Sequence, residues 1–109
     1  MSYFEPKMLA GEKLRLQLDL AYTAEQKVLF KSLAENIFNN AVDLLMSATK
    51  IGSSDFIHVN LTVNHLSQRY MFDTKLFNEV GVKREIEKLA AEQGLKVYQV
   101  EAGSIIITF

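Results

Sequence analysis

The stretch from Thr23 to Lys50 constrains this chain most, because its apolar residues recur at the spacing of one helix face. At 100° per residue, Phe30, Leu33, Ala34, Ile37, Phe38, Ala41, Leu44, Leu45 and Ala48 gather on one side. Lys31, Ser32, Glu35, Asn36, Asn39, Asp43 and Lys50 gather on the other. Thr23 and Gln26 have the spacing of a capping box, in which the hydroxyl meets the N3 amide and the glutamine side chain reaches back. Lys50 suits a last turn, and Gly52 stands where a left-handed residue closes a helix. The pattern predicts an amphipathic helix roughly 40 Å long. Such a helix must bury its apolar side, so the rest of the chain has to supply the other wall of a core. Each large apolar side chain buried contributes about 1.5–3 kcal/mol. A polar substitution at Leu33, Ile37 or Leu44 is therefore expected to unfold the domain.

Length allows one such core: residues 1–109 are expected to form a single domain, with residues 1–11 as an N-terminal arm. The arm holds the sole proline, Pro6, and ends in Ala10-Gly11; Tyr3, Phe4, Met8 and Leu9 are apolar enough to pack on the body or on a second copy. The formal net charge is −1, with acids and bases interleaved. A general polyanion binder carries a basic excess, so non-specific binding to nucleic acid or an anionic membrane is disfavoured. The absence of cysteine removes disulfides, cysteine zinc sites, thiol nucleophiles and iron–sulfur ligation together. The opening MSYFEPKMLAGEK has no apolar run of signal-peptide length, and no stretch approaches a membrane span. A cytoplasmic protein without a cofactor is expected.

Around the long helix the patterning shifts. Leu14, Leu16, Leu18, Leu20 and Tyr22 alternate with Lys13, Arg15, Gln17, Asp19 and Ala21, which predicts a half-buried strand. After a Gly52-Ser53-Ser54-Asp55 loop, Ile57, Val59, Leu61 and Val63 alternate with Phe56, His58, Asn60 and Thr62, a second strand with one wet face. Between Asn64 and Gly81 one or two short helices are expected, capped at Asn64 and at Asp73 or Thr74. Val82, Ile86, Leu89 and Ala90 then mark a clearer helix ending at Gly94, and Leu95–Glu101 with Ser104–Phe109 form a hairpin about Ala102-Gly103. A two-residue turn sets Tyr98, Val100, Ile105, Ile107 and Phe109 on one side and Leu95, Val97 and Ile106 on the other. A strand apolar on both faces must be covered. The C-terminal strand is then either central or part of a subunit interface, and the reading favoured is a homo-oligomer with Tyr3, Phe4, Leu95, Val97 and Ile106 at the interface.

No stretch carries a strong catalytic signature: phosphate-loop and dinucleotide glycine patterns, a nucleophile elbow and HExxH are all missing. Weaker constellations have a bland reading beside the functional one. His58 and His65 could join Asp55 or Asp73 at a metal, yet no ligand spacing supports it, and two surface histidines suffice. Arg69, Tyr70, Asp73 and Lys75 follow a strand end, a common place for a site, or are a core tyrosine among solvated charges. Lys83, Arg84 and Lys88 could grip phosphates, but Glu85, Glu87 and Glu92 cancel most of the field and local ion pairs explain them. Asn36, Asn39 and Asn40 suit an interface or plain solvent. If the two strands pair, Arg15, Gln17, Asp19, His58, Asn60 and Thr62 form a polar plate bordered by Phe56, Val97 and Ile106. RNA recognition would want more stacking aromatics there. The candidate ligand or partner surface is thus Arg15, Asp19, His58, Asn60, His65, Arg69 and Tyr70.

The run Glu85-Ile86-Glu87-Lys88-Leu89-Ala90-Ala91-Glu92-Gln93-Gly94-Leu95-Lys96-Val97, leading into a hairpin that ends Ile106-Ile107-Thr108-Phe109, resembles the C-termini of small α+β accessory proteins of tailed bacteriophages. The likeness covers about a quarter of the chain and carries no functional motif. It implies a phage-encoded protein that acts in the host cytoplasm by binding a host or phage component.

These readings converge on an α+β fold, β-α-β-α-α-β-β, with a mainly antiparallel sheet of about four strands packed on one face by the long helix and shorter ones. The function expected is that of a small non-enzymatic protein-interaction module, a homo-oligomer with a protein partner. The alternatives are a small-ligand or nucleotide binder, including a hydrolase, using Arg69, His58, His65 or Tyr70, and a nucleic-acid binder using the Lys83–Lys88 helix.

Overall fold

In the computed structural model, which describes residues 9–109, the capping box at Thr23 forms as its spacing demands. The Gln26 N–H donates to the Thr23 hydroxyl at 3.1 Å, and the Thr23 N–H donates to Gln26 Oε1 at 3.0 Å. The helix it opens, α2, runs Ala24–Lys50; Lys50 lies in its last turn and Gly52 beyond it takes φ +70°. Its buried residues are Phe30, Leu33, Ala34, Ile37, Phe38, Ala41 and Leu45. Leu44, expected among them, is 52% exposed. The buried stripe continues through Leu45, 5% exposed, while Leu44 stands at its margin and opens onto a groove lined by residues 57–60.

Before α2 lies the largest departure from expectation. Residues predicted as a strand form a helix instead, α1, Ala10–Ala21. The alternating leucines explain the error, and the residues between them explain the outcome. AGEKLRLQLDLA contains no β-branched and no aromatic residue, and Leu, Arg, Lys, Gln and Glu are all good helix formers. On a helix a period-two pattern lands on two opposite sides: Leu9, Leu16 and Leu20 form one stripe, Leu14 and Leu18 another. No residue of α1 is buried. The arm expected over residues 1–11 is cut short by this helix, which starts at Ala10; Tyr3 and Phe4 lie outside the described residues.

The rest of the chain adds β1 (Phe56–Asn60), α3 (Val63–Tyr70), a short 3-10 turn (Thr74–Leu76), α4 (Glu79–Glu92), β2 (Lys96–Glu101) and β3 (Ser104–Thr108). Asp73 caps the 3-10 turn through Lys75 N–H, and Asn78 caps α4 through Gly81 N–H. The fold is α+β, but with the strand at residues 12–22 gone the sheet has three antiparallel strands, ordered β1-β3-β2, in place of four. The C-terminal strand is therefore central. Helices α2 and α4 pack on each other and cover one face of the sheet, burying Ile105 and Ile107 completely together with Leu61, Leu66, Val82 and Ile86.

The hairpin does not follow the simple two-residue register. Glu101 pairs with Ser104, but Gln99 pairs with Ile105, so Val100 is an extra residue, a bulge. Beyond it every side chain of β2 changes face relative to expectation. Val97 lies opposite Ile107 and turns inward, half-buried against the core with Leu95; Tyr98 lies opposite Ile106 and turns outward, 53% exposed. Leu95 and Val97 thereby pack, partly buried, against the core. Ile106 does stand on the uncovered face, half-buried between His58 and Tyr98.

The turn itself is clamped. Gly103 takes φ +78°, its N–H donates to Glu79 Oε1 at 3.1 Å, and its carbonyl accepts from Leu61 N–H at 2.7 Å. A Cβ there would stand 2.8 Å from Thr62 Cγ2, so the turn needs glycine both for its backbone angle and for the close approach of the β1–α3 junction.

Candidate functional site

Five of the seven residues of the expected ligand surface come together, and two do not. His58 and Asn60 from β1 and His65, Arg69 and Tyr70 from α3 line one groove, with Asn40 from α2 opposite. Its apolar floor comes from Ile37, Ala41, Ile57, Val59 and Leu66, with Leu44 also in the lining. Four consecutive residues of β1 reach the groove although successive side chains point to opposite faces. The strand must therefore present its free edge to it, as its outer place in the order β1-β3-β2 allows. His65 and Arg69 are i, i+4 on α3 and share a side of that helix. The groove is open on one side and its volume is about 100 Å³.

Within the groove the polar atoms are unevenly committed. Asn60 Oδ1 accepts the Thr62 N–H at 3.0 Å, while the Asn60 NH₂ makes no hydrogen bond among the described residues. The Arg69 guanidinium stands over the Tyr70 ring, 5.7 Å from its centroid, and makes no ion pair with a carboxylate among the described residues. No aspartate or glutamate is in the lining. Among the described residues no three histidine or carboxylate side chains gather closely enough to hold a metal ion, and Asp55 and Asp73 line no part of this groove.

Arg15 and Asp19 belong to a different place, because the segment carrying them is a helix and pairs with no strand. Asp19 receives two hydrogen bonds from Arg84 of α4, Nη1 to Oδ1 at 2.7 Å and Nη2 to Oδ2 at 3.0 Å, the bidentate geometry that suits guanidinium and carboxylate. Arg84 Nη1 also donates to the Arg15 carbonyl at 3.4 Å. Nothing in the local sequence pairs residues 65 positions apart, so this contact was invisible before the fold was known. The other two cations of the same helix are in local pairs, Lys83 with Glu87 and Lys88 with Glu85, which leaves little field for gripping phosphates. Tyr22 closes the α1–α2 junction: its ring meets Phe30 edge-on, centroids 4.9 Å apart, and its hydroxyl donates to Asn78 Oδ1 at 3.4 Å.

The hydrogen bonds from Arg84 hold the Asp19 carboxyl below its ordinary value of 3.8, against a smaller opposing push from desolvation. The unfolded chain therefore binds that proton more readily than the folded one. The pair's contribution is fully present above the ordinary value and is lost as pH falls through Asp19's lower folded value. Protection factors of the α1 amides, taken by NMR against the intrinsic exchange rate at each pH and at constant ionic strength, should fall on acidification below about pH 4. The Asp19→Asn chain should lack that acid response, its α1 already exchanging faster at neutral pH.

Comparison with known proteins finds no matching family model, no matching curated protein and no matching solved structure. Nothing in these comparisons supports the expected likeness of the C-terminal helix and hairpin to phage proteins, and no relative offers a site to lay over this one. Among the described residues no helix is long and apolar enough to cross a membrane.

Proposed function

We propose that this protein is a small interaction module that works by self-association through α1. The observation that carries the reading is the orientation of that helix. It meets its own body with its polar side, through Asp19 and the Arg15 carbonyl on Arg84, while Leu9, Leu14, Leu16 and Leu20 stand 71%, 64%, 46% and 76% exposed. A surface helix of a monomer normally does the reverse. Twelve residues are also marginal as a helix in water, where tertiary packing usually supplies the stability. Among the described residues, the polar contacts of α1 and its junction with the body are the Arg84 hydrogen bonds and Tyr22, with Leu18 the one partly buried leucine of the helix. Leu9, Leu16 and Leu20 are spaced by seven and four, the spacing of a coiled-coil seam, so the same stripe on a second copy is a self-complementary surface. The uncovered sheet face, with Phe56, Tyr98 and Ile106, is then presented by the assembly to a protein partner, in the host cytoplasm if the chain is phage-encoded.

Light scattering on a sizing column tests this directly. Wild-type chain should elute at a defined multiple of its monomer mass, and the Leu16→Lys/Leu20→Lys variant should elute as a folded monomer, since neither leucine belongs to the core. A wild type that stays monomeric at tens of micromolar would sink the proposal.

A further inference from the structure

The groove at the free edge of β1 is chemically one-sided. Its charged lining group is Arg69, which lacks a carboxylate partner among the described residues, and neither aspartate nor glutamate lines it. The Asn60 NH₂ makes no hydrogen bond among the described residues, while its oxygen accepts the Thr62 N–H. His65 stands one turn before Arg69 on the same side of α3. The Tyr70 ring beneath the guanidinium favours one orientation of it, and both Arg69 and His65 are exposed, so neither is engaged in holding the core. Donors gathered at one rim over an apolar floor make the usual plan of a small-molecule site, in which a few polar groups orient a ligand whose body is buried.

We infer that this groove binds a small organic anion, a carboxylate or phosphate group on a compact apolar body. Arg69 takes the charge, the Asn60 amide and the His65 ring donate to the remaining oxygens, and the body rests on Leu66 and Ile37. A guanidinium fork matches either oxyanion in bidentate fashion. The groove offers about 100 Å³ and is open on one side, which suits a compact anion with little of its body buried. Residues of α1 contribute nothing to the lining, and the inference stands apart from the self-association proposed above.

The test is an NMR titration of the full chain at low ionic strength with inorganic phosphate and, separately, with sodium butyrate, reading the side-chain signals of Arg69, His65 and Asn60. Saturable shifts confined to the groove are expected with at least one of the two. A response to phosphate alone assigns a phosphate ligand, a response to butyrate alone assigns a carboxylate, and a response to both assigns the shared oxyanion chemistry. Arg69→Gln should weaken the binding roughly tenfold or more, since a hydrogen bond to a charged group is lost. Circular dichroism would confirm that it folds, and His65→Ala serves as a second variant that should also weaken binding. Absence of saturation with both probes overturns the inference, as does an affinity unchanged by either substitution.

Discussion

An Ile37→Asp chain should be unfolded at 25 °C, whereas Leu44→Asp should fold and melt within a few degrees of wild type. The two residues lie seven apart on the same stripe of α2, and by periodicity alone they are equivalent. In the folded protein Ile37 is 4% exposed within the cluster that also holds Leu33, Phe38, Ile105 and Ile107, while Leu44 is 52% exposed. Replacing Ile37 removes about 1.5–3 kcal/mol of burial. It also asks an ionised carboxylate to enter an apolar interior, or to give up its charge there, at a cost of several kcal/mol more. Against a net stability of about 5–15 kcal/mol for a domain, that is enough. Ile37→Ala, which only leaves a cavity, should fold but lose about 2–5 kcal/mol. Circular dichroism with thermal melting of all three chains checks the set. Cooperative melting of Ile37→Asp near the wild-type midpoint would mean that α2 faces the core with another side.

Gly81→Ala is expected to destabilise the protein although alanine is the better helix former. Gly81 lies inside α4 and is buried, and its φ is not of the left-handed kind, so conformation alone favours alanine by about 1 kcal/mol. Packing decides the sign. A Cβ at that position would stand 2.5 Å from Phe30 Cδ2, with Cε2 slightly nearer and Cζ at 2.9 Å, and the Phe30 ring is 2% exposed and braced edge-on by Tyr22. The ring has no solvent to swing into, so α2 and α4 must move apart. Overpacking of this kind costs about 1–3 kcal/mol, for a net loss of up to about 2 kcal/mol after the helix gain. A double-mutant cycle makes the argument specific: in a Phe30→Leu background, with the ring gone, Gly81→Ala should turn neutral or stabilising. An equal loss in both backgrounds, read from urea midpoints, would refute the contact as the cause.

The candidate groove was half legible beforehand. His58 and Asn60 on a wet strand face, and His65, Arg69 and Tyr70 just after it, are near in sequence, and a strand followed at once by a helix keeps them near in space. Asn40 was readable only as one asparagine among three, because nothing local says which of Asn36, Asn39 and Asn40 would face β1. Arg15 and Asp19 were placed on the same plate through one wrong step, the strand at residues 12–22. The alternation of leucines there is genuine, but alternation reports a strand only when the residues between tolerate one. A segment without a β-branched or aromatic residue weighs against it.

What the sequence determined by itself is what depends on neighbours three or four residues away. The span and capping of α2, the C-terminal part of α4 from Val82 on, the turn at Ala102-Gly103 and the α+β class all follow from side-chain chemistry acting within one turn or one strand. Tertiary structure decided everything that depends on which surface meets which. It placed the bulge at Val100, which turns Val97 inward and Tyr98 outward. It also exposed Leu44, matched Gly81 to the Phe30 ring, and paired Asp19 with Arg84 across 65 residues. Each of these is a contact between elements whose separate patterns were already satisfied, so the pattern carries no preference among partners. The choice is made by packing the whole core at once, where one residue of register or one missing Cβ changes which side chains are buried.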